Sequence, residues 1–342
     1  EIKKNSNRDI VLLTNSIYEG NILYKAISKL YKNTFFFPMD DFITEESISI
    51  SPDLLSIRLS TLDGLVNNKG NILITNLNGL LRYMPSKKVW VKSIINISKG
   101  ECNKDNLERD LSNIGYERSP FVTKTGEYSS RGFVLDIFPY NFENPIRIEF
   151  WGDEIDSIRE FDIDSQRSIK DINNVEIYPV SEFINSKNID IEPKQKNIPQ
   201  VLDNYVSIFD YLDNPITIYD DFGTIRKSYD RLSEDIMNLN KEKGTNDKYM
   251  FSLEDINIKD EIYLLKIDNL IEGKKLDHIY NLNGKEVDRF KSNISYINEY
   301  LTNALFKKKT VIISIKDDNK VKVEDLKGVK RNADIQLLCE GR

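Results

Sequence analysis

Over the first ninety positions, apolar residues fall into two alternating patterns. Asp9 to Ser16, "DIVLLTNS", is a short apolar run closed by polar residues, as a buried strand requires. Leu23, Ala26, Ile27 and Leu30 then recur at helical spacing. "TFFFPMDD" is a second strand-like run, ending in Asp40 and Asp41. "SPDLLSIRLSTLDGLV" opens as a helix does, with Ser51 as cap and Pro52 at the first helical position. "NILITNL" gives a third buried strand and "NGLLRYM" a short helix. Alternation of this kind predicts a mostly parallel sheet covered by helices.

The pattern changes near Ser93. "SIINISKGE" reads as a strand and "NKDNLERDLSNIGY" as a helix; strand-like runs between turn signals then form an antiparallel meander to about Phe161, trailed by "FDIDSQRSI". "INSKNIDIEPKQKN" is polar and reads as a surface linker. Strand–helix character returns in "NPITIYDDFGTIRKSYDRLSEDI" and "DEIYLLKI", and the strand "ITIYDD" needs a parallel neighbour. The expected organisation is one α/β domain (residues 1–92 and 178–275) interrupted by an α+β insertion (93–177), followed by a partial further α/β unit (276–342).

Composition narrows the function classes. The chain has 342 residues, 39% of them hydrophobic and 30% charged, an ordinary globular balance at a length that calls for two or three domains. No apolar run approaches the roughly 20 residues of a membrane helix. The first residues contain neither an initiator Met nor an apolar leader, so a fragment is expected. Cys102 and Cys339 are far apart and form no metal-ligand spacing, which suits a reducing cytoplasm, and His278, the one histidine, is expected on the surface. No metal or cofactor site is expected. Acidic residues outnumber basic ones 55 to 48, giving a net charge of −7. Between Ser93 and Glu176 alone there are 17 acidic and 10 basic residues, which argues against direct DNA binding by the insertion.

Two aspartates invite an ATPase reading. "ITIYDD" is an apolar strand ending in Asp220 and Asp221, the form of a Walker B magnesium site. A triphosphate cradle also requires G-x-x-x-x-G-K-[ST], and no such run occurs. Without it, the aspartates are expected to cap the next helix. The pairs Asp40/Asp41 and Asp153/Glu154 fall in turns with no partner base in view.

The most informative stretch is "RGFVLDIFPYNFENPIRIEFWGDEIDSI", Arg131 to Ile158. Arg131 is expected to open its first strand, beside Gly132, whose missing side chain would admit a close approach. Alternation in "IRIEFW" puts Ile146, Ile148 and Phe150 on the core face and Arg147, Glu149 and Trp151 on the other. Gly152 and Asp153 fit a two-residue type II′ turn. That register sets Trp151 opposite Glu154 and Arg147 opposite Ile158, with Asp156 diagonal to the arginine. Two readings stand. Arg147 pairs with Asp156 or Glu149 and Trp151 tucks under the "FDIDSQRS" tail, or the Trp–Arg face docks a protein partner. Trp and Arg are enriched at hot spots, where truncation costs about 2 kcal/mol or more. Phe35 to Phe37 and the helix tyrosines are expected in the core.

"YSSRGFVLDIFPYNFENPIRIEFWGDEIDSIREFDIDSQRSI" resembles the insertion domain shared by UvrB and the transcription-repair coupling factor (Mfd). "FPMDDF…SPDLLSIRLSTL", "ILITNLNGLLRYMP" and the "FDIDSQRS" ending are more similar to the coupling factor's amino-terminal UvrB-like module. The resemblance covers residues 8–275, most closely 36–84 and 115–170. It implies a degenerate P-loop-NTPase-like α/β domain that hydrolyses no ATP and an insertion that docks UvrA, recruiting excision repair to stalled transcription complexes. The docking residues it implies are Arg131, Arg147 and Trp151, the family usually having phenylalanine at the last. It further implies an ATP-dependent translocase as parent protein, whose motor end masks the docking face and whose RNA polymerase and double-stranded DNA partners bind domains without counterpart here. The alternative is a fragment of a UvrB-type helicase with its P-loop upstream.

Overall fold

The computed structural model describes Lys3 and residues 6–40, 51–265, 276–279, 294–307, 311–316 and 335–340. Asp41 and much of 276–342 lie outside the described residues. The chain forms two compact units, Glu1–Glu272 and Gly273–Arg342.

The first unit opens with β1 (Ile10–Thr14), α1 (Ile17–Ile27), β2 (Thr34–Phe37), α2 (Pro52–Asn67), β3 (Ile72–Asn76) and α3 (Leu77–Leu81). β4 (Met84–Pro85) and α4 (Lys87–Lys92) lead into the insertion. The insertion comprises β5 (Ile95–Ser98), β6 (Gly100–Glu101), α5 (Lys104–Asn113), β7 (Glu117–Arg118), β8 (Glu127–Arg131), β9 (Val134–Ile137), β10 (Ile146–Trp151), β11 (Glu154–Phe161), β12 (Ser168–Asp171) and β13 (Asn174–Ile177). The chain returns through α6 (Ile198–Val201) and β14 (Tyr205–Val206) to β15 (Ile216–Asp220), α7 (Phe222–Lys243) and β16 (Asp260–Leu264).

β16, β15, β1, β3 and β2 lie in that order in one sheet, every pair parallel. β1 and β3 are buried at every position because helices cover both faces. Ile10 and Leu12 meet the apolar stripe of α1 on one side; Val11 and Leu13 meet α3 and α7 on the other. The parallel neighbours that "ITIYDD" needs are thus β1 and β16. Asp221 stands at the N-cap of α7 in a left-handed conformation, φ 64°, and makes no side-chain bond to the helix backbone. Its carboxylate instead accepts from the Thr224 hydroxyl at 2.9 Å, so the expected capping is replaced by a side-chain pair. Not every helix tyrosine is core, either: Tyr18 in the first turn of α1 is exposed, since the stripe that packs begins one residue earlier.

The insertion is a second layer system. Its sheet runs β12-β11-β10-β9-β8-β7, with β6 added alongside β11. Ile146, Ile148 and Phe150 of β10 pack with Leu135, Ile137, Ile155 and Ile158 under Leu107 and Leu111 of α5. Complete burial of each such side chain contributes about 1.5–3 kcal/mol. The two-stranded β5–β13 sheet adds Ile97, Val175 and Ile177 to the same core.

The chain leaves the insertion through a buried ionic clasp. Glu182 accepts from Arg58 of α2 (Nε–Oε1 2.5 Å) and from Arg82 (Nη2–Oε2 2.8 Å), all three side chains being nearly inaccessible. The polar segment beyond it is not wholly a surface linker. Ile184 and Ile198 at its ends enter the core that holds Trp90, Leu62 and Leu65, while Lys187 to Asp190 stay exposed. In the second unit, α8 (Ile294–Phe306) is followed by β17 (Val311–Lys316) and β18 (Ile335–Glu340), which pair in parallel.

Candidate functional site

One buried carboxylate organises the outer face of the insertion's sheet. In β9, Leu135 and Ile137 enter the core, which turns Asp136 to the opposite face, directly across from Arg147 of β10. Arg147 donates Nε to Asp136 Oδ1 at 2.7 Å and Nη2 to Oδ2 at 2.9 Å, a bidentate clamp. Arg131 donates Nη2 to the same Oδ2 at 2.8 Å. Asp136 is 2% exposed, Arg147 16% and Arg131 42%, so the second cation faces water most. The hydrogen bond to Asp136 raises the Arg147 pKa above its ordinary value, against desolvation. Two cations on one carboxylate leave this cluster net positive.

The same arginines are held flat. The Arg147 guanidinium lies 4.3 Å over the Phe161 ring and donates to Gln166 Oε1 at 2.9 Å; Arg131 lies 4.8 Å over the Phe121 ring. Beside them Arg159 pairs with Glu149. At the end of β10, Trp151 is 83% exposed. Gly152 takes φ 64° and Asp153 is not among the left-handed residues, as a II′ turn requires, and Trp151 pairs with Glu154 as alternation predicts.

Three expectations change. Arg131 closes β8 rather than opening a strand, and Gly132, at φ 55° with nothing near its missing side chain, serves the β8–β9 turn and no close approach. Arg147 faces Arg159, not Ile158, because the ladder shifts after Glu149 and leaves Asp156 as an extra residue in β11. The cause is visible in the core: Ile155 and Ile158 are both buried although three apart, and only a bulge puts residues of odd spacing on one face. Asp156 is therefore no partner of Arg147, and the "FDIDSQRS" tail reaches Arg147 through Gln166 rather than covering Trp151.

Sequence reasoning missed Asp136, although alternation in "VLDI" marks it as the outward residue between two core positions. It also missed two exposed aromatics. Phe133 in the β8–β9 turn is 70% exposed, and its carbonyl accepts from Phe150 N–H at 2.8 Å, which brings that turn to the Trp151 end of the sheet. Phe121 is exposed in the loop before β8.

This exposed Trp–Arg sheet lies within a segment with known kin. Residues 95–183 match the UvrB interaction domain. That domain holds every strand from β5 to β13, the three residues singled out in sequence and Glu182 of the clasp. The chain is also 38% identical over 186 residues to the transcription-repair-coupling factor of Staphylococcus aureus (strain bovine RF122 / ET3-1), covering 52% of this chain and 16% of the relative. Against the transcription-repair-coupling factor of Bacillus subtilis (strain 168) it is 34% identical over 194 residues, 56% of this chain and 16% of the relative. The chain thus spans a minor part of the curated relatives it matches. The resemblance read from the insertion and the "FPMDDF" and "ILITNLNGLLRYMP" segments is borne out, and both similarities belong to DNA repair and its coupling to transcription. Among the described residues, no helix is long and apolar enough to cross a membrane.

Proposed function

We propose that this chain is the non-catalytic docking module of a bacterial transcription-repair coupling factor, and that its UvrB interaction domain recruits UvrA to stalled transcription complexes. Arg131, Arg147 and Trp151 are the contact residues of this reading. The observation that carries it is the pairing of an exposed indole with guanidiniums already clamped by Asp136 and stacked on rings. A side chain fixed before binding loses little entropy on docking, and a Trp hot spot is worth about 2 kcal/mol or more. The parallel α/β domain, lacking the G-x-x-x-x-G-K-[ST] run, serves as a degenerate P-loop-like platform for the insertion. In the parent protein, translocation on DNA and contact with RNA polymerase belong to other domains.

Titration calorimetry of UvrA into this chain, Arg147→Glu and Trp151→Ala tests the reading. Losses of at least roughly thirtyfold in both variants are expected, matching about 2 kcal/mol. Affinity unchanged in both, with the fold intact by circular dichroism, refutes it.

A further inference from the structure

The end of the sheet that carries Trp151 has a second chemistry beside the arginines. Trp151 pairs with Glu154 across the turn, and Glu154 pairs on its other side with Glu101 of β6. Directly opposed residues share a face, so indole, carboxylate and carboxylate form one row across three strands. With Asp153, Cys102 and Asn103 they line an open groove of about 650 Å³.

The charge of this groove is uncompensated. Like charges directly opposite one another on a sheet repel. Neither glutamate, nor Asp153, has a side-chain ion pair or hydrogen bond among the described residues, in contrast to Asp136 and Glu149 on the same sheet. The nearest lysine on α5, Lys104, is turned away, donating to the Gly132 carbonyl at 2.6 Å and lying 3.7 Å from Glu108. Lys99 precedes β6 and is not among the groove's lining residues. Phe133 is exposed on the β8–β9 turn at the same end of the sheet, but it stands across from the core-facing Phe150 and is not among the groove's lining residues.

We propose that this groove receives a basic side chain, arginine or lysine, projecting from a loop of the docked partner protein. The inference rests on the docking reading above and names the partner chemistry at its edge. The cation lies against the Trp151 indole, which attracts it through the ring quadrupole, while Glu101 and Glu154 supply the counter-charge. The interface is therefore bipolar. The arginine cluster prefers acidic partner groups, the groove prefers basic ones, and opposite signs a short distance apart fix the orientation in which the partner docks.

The first test needs no partner. Trp90 is fully buried, so quencher-accessible indole fluorescence comes from Trp151. Caesium is expected to quench it more strongly relative to iodide than it does free N-acetyltryptophanamide, and Glu101→Gln with Glu154→Gln is expected to remove that bias. Equal relative quenching in the unmodified chain overturns the acidic groove. The second test measures UvrA affinity of Glu101→Lys and Glu154→Lys, exposed positions whose folding is checked through Trp90 emission. A loss of roughly tenfold or more supports the proposal, since like-charge juxtaposition at an interface costs at least that. Unchanged or tighter binding by the lysine variants, while Arg147→Glu and Trp151→Ala still abolish it, overturns the groove and leaves the docking reading standing. Unchanged binding by all four variants removes the docking reading, and the groove's role with it.

Discussion

Glu182 is the position at which a single atom's change reaches furthest into the fold. Glu182→Gln keeps the side chain's shape and one carbonyl acceptor but removes the charge that two buried guanidiniums share. Arg58 and Arg82 cannot reach water at their nearly inaccessible positions, and Arg58 Nη2 already lacks an acceptor. Breaking a buried pair by removing one partner costs about 3–5 kcal/mol, mostly as uncompensated charge. Two charge-assisted hydrogen bonds at roughly 1.5–3 kcal/mol each give about 3–6 kcal/mol, an overlapping range. With a urea slope of about 2.5 kcal/mol/M, a loss of about 4 kcal/mol moves the midpoint down by about 1.6 M. Trp90 lies in the cluster that Phe183 and Ile184 enter, so its emission in a Trp151→Phe background reports the transition. The pH dependence supplies a second check. Burial alone would raise the Glu182 pKa, but Arg58 and Arg82 hold it below the ordinary carboxylate range. A depressed carboxylate stabilises fully above its unfolded value of about 4.3 and loses that contribution as pH falls through the folded value. The stability gap between the unmodified chain and the Glu182→Gln variant therefore narrows as pH drops below about 4. A midpoint shift under about 0.3 M at pH 7, or a gap of constant size from about pH 7 to 3, refutes the reasoning. Replacing all three residues by apolar ones of similar volume is expected to restore most of the loss.

Asp136→Asn is expected to cost less, about 1–3 kcal/mol, because Arg131 and Arg147 can turn to water; thermal melting of the chain measures it. Gly152→Ala meets no neighbouring atom yet must hold φ 64°, so about 1 kcal/mol of local strain is expected, read as faster amide exchange in β10 and β11 with the five-stranded sheet unaffected. The Ser165 hydroxyl and N–H hold the exposed Asp162 carboxylate below its ordinary pKa, so Ser165→Ala is expected to move its midpoint upward in an NMR titration.

What can be read from the sequence is what a single strand or helix decides by itself. The periods of two and 3.6 separate core from surface one element at a time, which suffices for Ile146, Ile148 and Phe150 inward, Trp151 outward, and β1 and β3 as buried strands. Register across two strands needs more. Matching Arg147 with Ile158 assumes an unbroken ladder, yet the odd spacing of Ile155 and Ile158 already demands an extra residue between them. Asp136 and Glu182 are harder cases. Each is a carboxylate whose partners come from another strand or from α2 and the turn after α3, and local pattern says nothing of which arginine will meet it. Tyr18 shows the reverse error, since an aromatic side chain raises the expectation of burial without supplying a surface to be buried against.

Those same distant pairings explain how the Trp151 edge of the sheet carries an exposed aromatic at all. A tryptophan left in water forgoes the apolar burial it would gain in a core, and a glutamate pair left unneutralised adds repulsion. A fold tolerates both only where other contacts set its geometry. Here the bulge at Asp156 fixes the register, Asp136 immobilises the arginines, α5 seals the opposite face, and Arg58 and Arg82 anchor the exit through Glu182. None of these passes through Trp151, Glu154 or Glu101. The edge is thereby uncoupled from folding, so substitutions there should alter partner affinity at nearly constant stability, whereas substitutions at Asp136 or Glu182 should alter stability first. A phenylalanine at position 151 would fit that division: it changes the exposed ring's shape and leaves the scaffold beneath it untouched.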